Sequence, residues 1–207
     1  MIYRSVFLLL LLAALPALAA DKPKRFEITP FGGYRIGGSF EDDDTGEDFD
    51  IDDETAYGLI FNIQEKAYTQ WQFEWSRSET AVDIPVINNG PDKIDLDIDY
   101  FQAGGTYLWD GKQVQPFMVA TLGAAYLNPD EIGDAETYFA FSIGGGWRIW
   151  PTKRFGLRVE GRVYGTILDS ESDIFCQGGP GGNTCLIKSQ SEVLWQWQML
   201  LGGTFRF

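Results

Sequence analysis

VLWQWQMLLGGTFRF, residues 193–207, is the stretch on which the fold turns. Val193, Trp195, Trp197, Met199, Leu201, Gly203, Phe205 and Phe207 occupy every second position. That is the period of a β-strand, so one face of the segment is almost wholly apolar. The other face carries Leu194, Gln196, Gln198, Leu200, Gly202, Thr204 and Arg206. A polar Gln196 set between Trp195 and Trp197 is odd for a strand buried in a soluble core. Taken alone, the segment also fits a half-buried terminal strand of a soluble protein.

The same two-faced pattern recurs along the chain. Phe26, Ile28, Pro30, Gly32, Tyr34 and Ile36 oppose Glu27, Thr29, Phe31, Gly33 and Arg35. Tyr57, Leu59, Phe61 and Ile63 oppose Gly58, Asn62 and Gln64, and Trp71, Phe73 and Trp75 oppose Gln70, Gln72, Glu74 and Ser76. Phe139, Phe141, Ile143, Trp147 and Ile149 oppose Ser142, Gly144, Gly146 and Arg148; Phe155, Leu157, Val159 and Val163 oppose Arg158, Glu160, Arg162 and Tyr164. In 113–127, Met118, Leu122 and Tyr126 share one face, and Phe117 and Val119 share the other with Gln115 and Thr121. In 94–109 the apolar parity is even at Ile94, Leu96 and Ile98 but odd at Phe101, Ala103, Tyr107 and Trp109, so a one-residue bulge is expected near Asp99–Phe101. The total is eight strands.

The spacers alternate in kind. Glu65-Lys66, Trp109–Lys112 and Trp150–Lys153 are short, whereas 39–54, 80–93, 128–136 and 169–190 are long. Short turns at one end and long loops at the other describe an up-and-down transmembrane barrel. In hydrocarbon a sheet can leave no unpaired edge, so the strands are expected to close. The fold class is therefore all-β, an eight-stranded antiparallel barrel. Lys22, Lys24, Arg25, Lys66, Lys112, Lys153 and Arg154 lie at the start or in the short turns, while acidic residues crowd the long loops.

Residues 1–19 read as a secretory signal peptide: Arg4 precedes an apolar run from Val6 to Leu15, then Pro16 and the small-x-small site Ala17-Leu18-Ala19. Cleavage is expected after Ala19 or one residue later, leaving 20–207 as the barrel domain. Removing Arg4 takes 16 basic residues to 15 against 30 acidic ones, which moves the net charge from −14 to −15. Nucleic acid is excluded as a partner, because binding through counterion release needs a basic surface.

The signal, the closing WQWQMLLGGTFRF, the hairpin QPFMVATLGAAYLNP and the strand pair TYFAFSIGGGWRIWPTKRFGLRVEGRVYG resemble the small outer-membrane β-barrel families grouped around the OmpA barrel domain, OmpX and OmpW. The resemblance implies a monomer in the outer membrane of a Gram-negative bacterium, with long loops extracellular and both termini periplasmic. Outer-membrane lipids, lipopolysaccharide and the barrel-assembly machinery are then its expected partners. It further implies that a terminal aromatic, here Phe207 with Phe205, belongs to the signal read by that machinery.

An eight-stranded barrel is just wide enough for side chains to fill it. Glu27, Arg35, Glu74, Arg148, Arg158, Glu160, Arg162 and Arg206 fall on the inner face, where they are expected to pair with one another, since an isolated buried ion is costly. Two readings of that network are open: a structural plug, or a gate that rearranges to pass small solutes. Residues 41–54, EDDDTGEDFDIDDE, hold ten acids in fourteen positions. Glu41, Asp43, Thr45, Gly46 and Asp52 follow the spacing of a calcium loop but carry the wrong first and last acids and lack flanking helices, so no specific metal site is assigned. Divalent cations drawn diffusely to Asp42, Asp43, Asp44, Asp48 and Asp50 remain a candidate partner. Cys176 and Cys185 enclose a glycine-rich loop and are expected to form a disulfide. There is no histidine, the side chain that most readily serves as a general base near neutral pH, so catalysis and a cofactor are not expected. The reading is a structural or surface-interacting outer-membrane barrel, with a narrow OmpW-like channel and a loop-borne adhesin as alternatives.

Overall fold

A computed structural model describes residues 26–41, 48–50, 52–83, 93–129, 135–168, 176–179, 182–185 and 193–207. The alternating stretches become eight long strands: β1 (Phe26–Ile36), β4 (Glu54–Lys66), β5 (Thr69–Asp83), β6 (Lys93–Leu108), β7 (Val114–Pro129), β8 (Glu136–Ile149), β9 (Phe155–Ile167) and β12 (Val193–Arg206). They close in the order β1-β12-β9-β8-β7-β6-β5-β4, every pair antiparallel. The terminal strand meets the first directly, Gly32 opposite Leu201 and Tyr34 opposite Met199. No edge remains on this wall, which is the condition for a sheet in lipid.

Two short hairpins stand in the long spacers: β2 (Ser39–Glu41) with β3 (Asp48–Asp50), and β10 (Cys176–Gly179) with β11 (Gly182–Cys185). Alternation over three or four residues is too brief to be read from sequence. The chain breaks between β1 and β2 at Gly37-Gly38, where a Cβ on Gly38 would lie 2.3 Å from the Trp195 carbonyl oxygen. The signal segment, Asp42, Asp43 and Asp44 lie outside the described residues.

Except at the loop end of β6, the wall is mainly apolar outside and polar inside. Trp71, Phe101, Leu122, Ile143, Trp147, Trp197 and Leu201 are all exposed, and Met199 keeps 72% of its surface. A soluble protein does not leave such a continuous apolar belt bare. Hydrocarbon is the solvent this wall fits, and the soluble alternative for residues 193–207 falls.

Strand β6 corrects the expected phase. There is no bulge near Asp99–Phe101: pairing with β5 runs unbroken from Tyr107↔Thr69 to Lys93↔Asp83, and pairing with β7 from Leu108↔Phe117 to Leu96↔Pro129. Even residues point inward throughout, from Leu96, Ile98 and Tyr100 to Gln102, Thr106 and Leu108. The solvent changes, and the register does not. Near the long loops Asp95, Asp97 and Asp99 point outward, while Leu96, Ile98 and Tyr100 pack inside with Ala125, Leu127, Tyr138, Ala140, Tyr164, Leu168 and Leu194. Outside, Arg77 ion-pairs with Asp97 and lies 3.7 Å from Asp99, whose Oδ1 accepts from Trp75 Nε1 at 3.0 Å. On β5 and β6 that end of the barrel is built like a water-soluble one, charged without and apolar within. For the same reason the strands run further than expected into the spacers, β5 to Asp83, β6 from Lys93 and β7 to Pro129.

The turn end is tied by main-chain bonds between neighbouring turns, among them Leu108 N to Tyr68 O at 2.8 Å and Trp150 N to Gln113 O at 2.7 Å. The Tyr68 hydroxyl donates to Asp110 Oδ2 at 3.3 Å, and the Asp110 charge raises the pKa of that phenol. Phe207 exchanges main-chain bonds with Phe26 at 3.0 and 3.2 Å, and its ring stacks 5.9 Å from those of both Phe26 and Phe205. An aromatic girdle results at this rim, as expected for a membrane interface.

The inversion on β6 makes a test. Ile98→Ala should destabilise the barrel by about 2–4 kcal/mol, as for a buried large-to-small change, and Asp95→Ala by no more than about 0.5 kcal/mol. Urea unfolding midpoints in detergent check this, and the opposite order would restore the bulge.

Candidate functional site

The candidate site is the barrel interior, and its centre is written in β9. The run Arg158-Val159-Glu160-Gly161-Arg162 alternates, so both arginines and the glutamate between them point inward. Glu160 Oε2 accepts from Arg158 Nε and its Oε1 from Arg162 Nε, each at 2.7 Å. Neighbouring β8 makes room for these long side chains with Gly144 and Gly146, which face Arg162 and Glu160. A Cβ on Gly146 would lie 1.9 Å from the Val159 carbonyl oxygen.

Glu74 comes from β5, four strands from β9 whichever way round the barrel one counts. It ion-pairs with Arg162 and accepts from the Tyr164 hydroxyl at 2.6 Å. Arg158 Nη2 reaches Gln72 Oε1 on β5 at 2.9 Å, and its guanidinium lies 4.4 Å from the Phe117 ring centre. One step toward the loops, the Tyr100 hydroxyl on β6 donates to Gln196 Oε1 on β12 at 2.9 Å, again across the full width. The lumen is therefore crossed from wall to opposite wall at successive levels.

At the turn end Glu27 receives Arg148 Nη1 at 2.6 Å and Arg206 Nε at 2.8 Å. Arg148 also donates to Gln70 and Gln115, and Arg206 lies 3.7 Å over the Trp150 ring. Of the eight charges expected inside, seven are buried to 4% exposure or less, and the Arg206 side chain keeps 27% at the rim.

Arg35 departs from the expected pairing. Among the described residues no carboxylate pairs with it. Its guanidinium donates to Gln198 Oε1 at 2.6 and 3.0 Å, to Ser78 Oγ at 2.8 Å and to Ser76 Oγ at 2.9 Å. The rings of Tyr100 and Tyr164 lie 4.8 and 5.0 Å from it. A cation can be held by neutral acceptors and aromatic faces when they are already in place. Five arginines thus face three glutamates, an excess of two positive charges inside a protein of net charge −14.

These neutral partners are what the sequence reading missed. Gln72, Gln102, Ser142, Tyr100, Tyr164 and Gln198 all lie on the inward parity, and the parity was the available signal. Ser142 donates to Gln102 Oε1 at 2.8 Å, extending the network to β6 and β8. Each glutamate of the described interior is engaged by arginine, Glu74 and Glu160 by Arg162 and Glu27 by Arg148 and Arg206. Asp48 and Asp50 lie on β3, and among the described residues no cluster of three or more metal-ligating side chains occurs. The backbone register sets Cys176 directly opposite Cys185.

Closed antiparallel strands, an apolar outer belt and a polar, filled interior define an integral outer-membrane β-barrel. The chain belongs to the outer membrane protein beta-barrel domain family, whose model matches residues 5–182. Among solved structures it is similar to Neisserial surface protein A (TM-score 0.62, 12% identity, 88% of this chain and 97% of that one). It is also matched to the N-terminal β-barrel domain of Pseudomonas aeruginosa OprF (TM-score 0.46, 11% identity, 89% and 100%) and to Ail, the attachment invasion locus protein of Yersinia pestis (TM-score 0.45, 14% identity, 88% and 99%). No curated protein matches the sequence.

The two kinds of buried arginine should respond differently to mutation. Arg162→Ala strands two glutamates and should cost about 3–5 kcal/mol. Arg35→Met strands only neutral groups and should cost about 1–3 kcal/mol. Urea midpoints give both values, and a larger loss at Arg35 would mean that a carboxylate partners it.

Proposed function

We propose that the protein is a structural, surface-facing component of the outer membrane that neither catalyses a reaction nor conducts solutes. The observation that carries this reading is the set of bonds from one wall to the opposite one, Arg162 and Tyr164 to Glu74, Arg158 to Gln72, and Tyr100 to Gln196. Above them the apolar cluster around Ile98 and Leu194 fills the loop end. Together they favour the plug over the gate. The lack of histidine and the engagement of Glu74 and Glu160 by arginine argue against catalysis.

In this reading the long loops are extracellular and the short turns and both termini periplasmic. The basic turn residues and the acidic loops support that orientation. The acidic 41–54 segment then meets the lipopolysaccharide layer, with divalent cations shared between its carboxylates and the phosphates, and Phe205 and Phe207 present the strand end to the assembly machinery. A Cys176–Cys185 disulfide caps the last loop. Directly opposed residues of an antiparallel pair have Cα atoms about 4.5–5.5 Å apart, within disulfide reach.

Two measurements test the reading. In planar bilayers the purified protein should give no stable conductance steps, and sustained openings would replace the plug with a channel. Millimolar calcium should raise the unfolding temperature through mass-action binding to the folded form. Sodium at matched ionic strength should not reproduce that rise, and replacing Asp42, Asp43, Asp44, Asp48 and Asp50 with Asn should remove most of it. If sodium has the same effect, screening alone is at work and cation binding is struck out.

A further inference from the structure

The outer wall is not uniformly smooth. A groove of about 350 Å³ lies on it toward the turn end, across β5 to β8. Its origin is a single row of the sheet. Trp71, Gly105, Ala120 and Ile143 are successive partners across the four strands, so two small residues lie side by side between two large ones. Tyr107 and Met118, the next pair toward the turns, also line it, and Glu65 and Thr69 lie at its turn end. At Gly105 a Cβ would come no nearer than 3.8 Å to any atom, so the floor is open outward. The four large side chains are 45–54% exposed, all on the face turned to lipid.

We propose that this groove binds an acyl chain of a glycerophospholipid from the leaflet on the turn side, with its phosphate held at the turn rim. The width selects the occupant. Two small residues on strands about 4.8 Å apart leave a floor of about 10 Å before the side chains of Trp71 and Ile143 narrow it further. A packed helix, about 10–12 Å across, does not enter, whereas a single hydrocarbon chain does. The charge at the rim selects the headgroup. Lys66, Lys112, Lys153 and Arg154 stand there against Glu65 and Asp110, so the described residues of the three turns carry a net +2 on a protein of net −14. Glu65 itself lines the groove, which places the mouth at this rim, beside Lys66. A basic rim attracts lipid phosphate. The inference needs only the barrel and its lipid-facing wall, and stands independently of whether the lumen conducts.

Native mass spectrometry of the full chain, extracted from its membrane into mild detergent, tests it by counting retained phospholipid. Gly105→Leu and Ala120→Leu, which fill the floor, should each weaken retention roughly tenfold, a loss of about 1.4 kcal/mol. Gly203→Leu is the control, since that glycine also faces lipid and a Cβ there meets nothing within 4 Å. It should retain phospholipid as the unaltered chain does. Heat-modifiable migration on gels verifies that each variant is a folded barrel. Lys66→Gln with Lys112→Gln should weaken phospholipid but not a free fatty acid of the same chain length. Equal phospholipid retention by Gly105→Leu, Ala120→Leu and Gly203→Leu would overturn the groove, and an unchanged response to loss of both lysines would overturn the headgroup site.

Discussion

Every main-chain N–H and C=O that faces hydrocarbon must find a partner within the protein, and the rest of the structure follows from that demand. A sheet meets it only by closing, so β12 must return to β1, and the chain spends eight long strands doing so. Closure at eight strands leaves an interior that side chains fill. Behind the apolar belt much of what fills it is polar, because alternation there hands the apolar residues to the lipid. The buried arginines and glutamates are thus a consequence of the wall.

Within that interior the charges are arranged by strand rather than by sequence distance. Glu160 sits between two arginines of its own strand and is bonded to both within β9. Glu74 meets the same Arg162 from the far wall. A buried ion pair is weak evidence of net stability, but breaking one leaves a stranded charge. Its effect here is specificity: the lumen accepts β5 in the register that sets Glu74 against Arg162 and Tyr164. Arg35 shows the other solution, a cation bedded in neutral oxygens and tyrosine faces.

The barrel was legible because period-two alternation is local and strong. The inward placement of Arg158, Glu160 and Arg162 follows from the same parity. Besides the short hairpins, two things were not legible. The phase change in 94–109 was read as a bulge because the reading assumed one solvent outside the whole strand, whereas Asp95, Asp97 and Asp99 meet water and Phe101 meets lipid. The partners of Arg35 were missed because a charge suggests a countercharge, and glutamines, serines and tyrosines carry none. Both errors concern what surrounds a residue, which alternation alone does not contain.

The water line drawn by those aspartates has a geometric consequence. Along β6 and its first turn residue the lipid-facing side chains run from Phe101 to Trp109, eight residue steps or about 27 Å. Along β12 and the terminal Phe207 they run from Trp195 to Phe207, twelve residue steps or about 40 Å. At a strand tilt of about 40° these become heights of about 20 and 30 Å, on either side of the usual band of about 25 Å. A flat bilayer cannot match both sides. The barrel must lean, or the membrane must thin beside β6 and thicken beside β12. This protein therefore carries a hydrophobic mismatch around its own circumference, and the leaflets next to it will not be level.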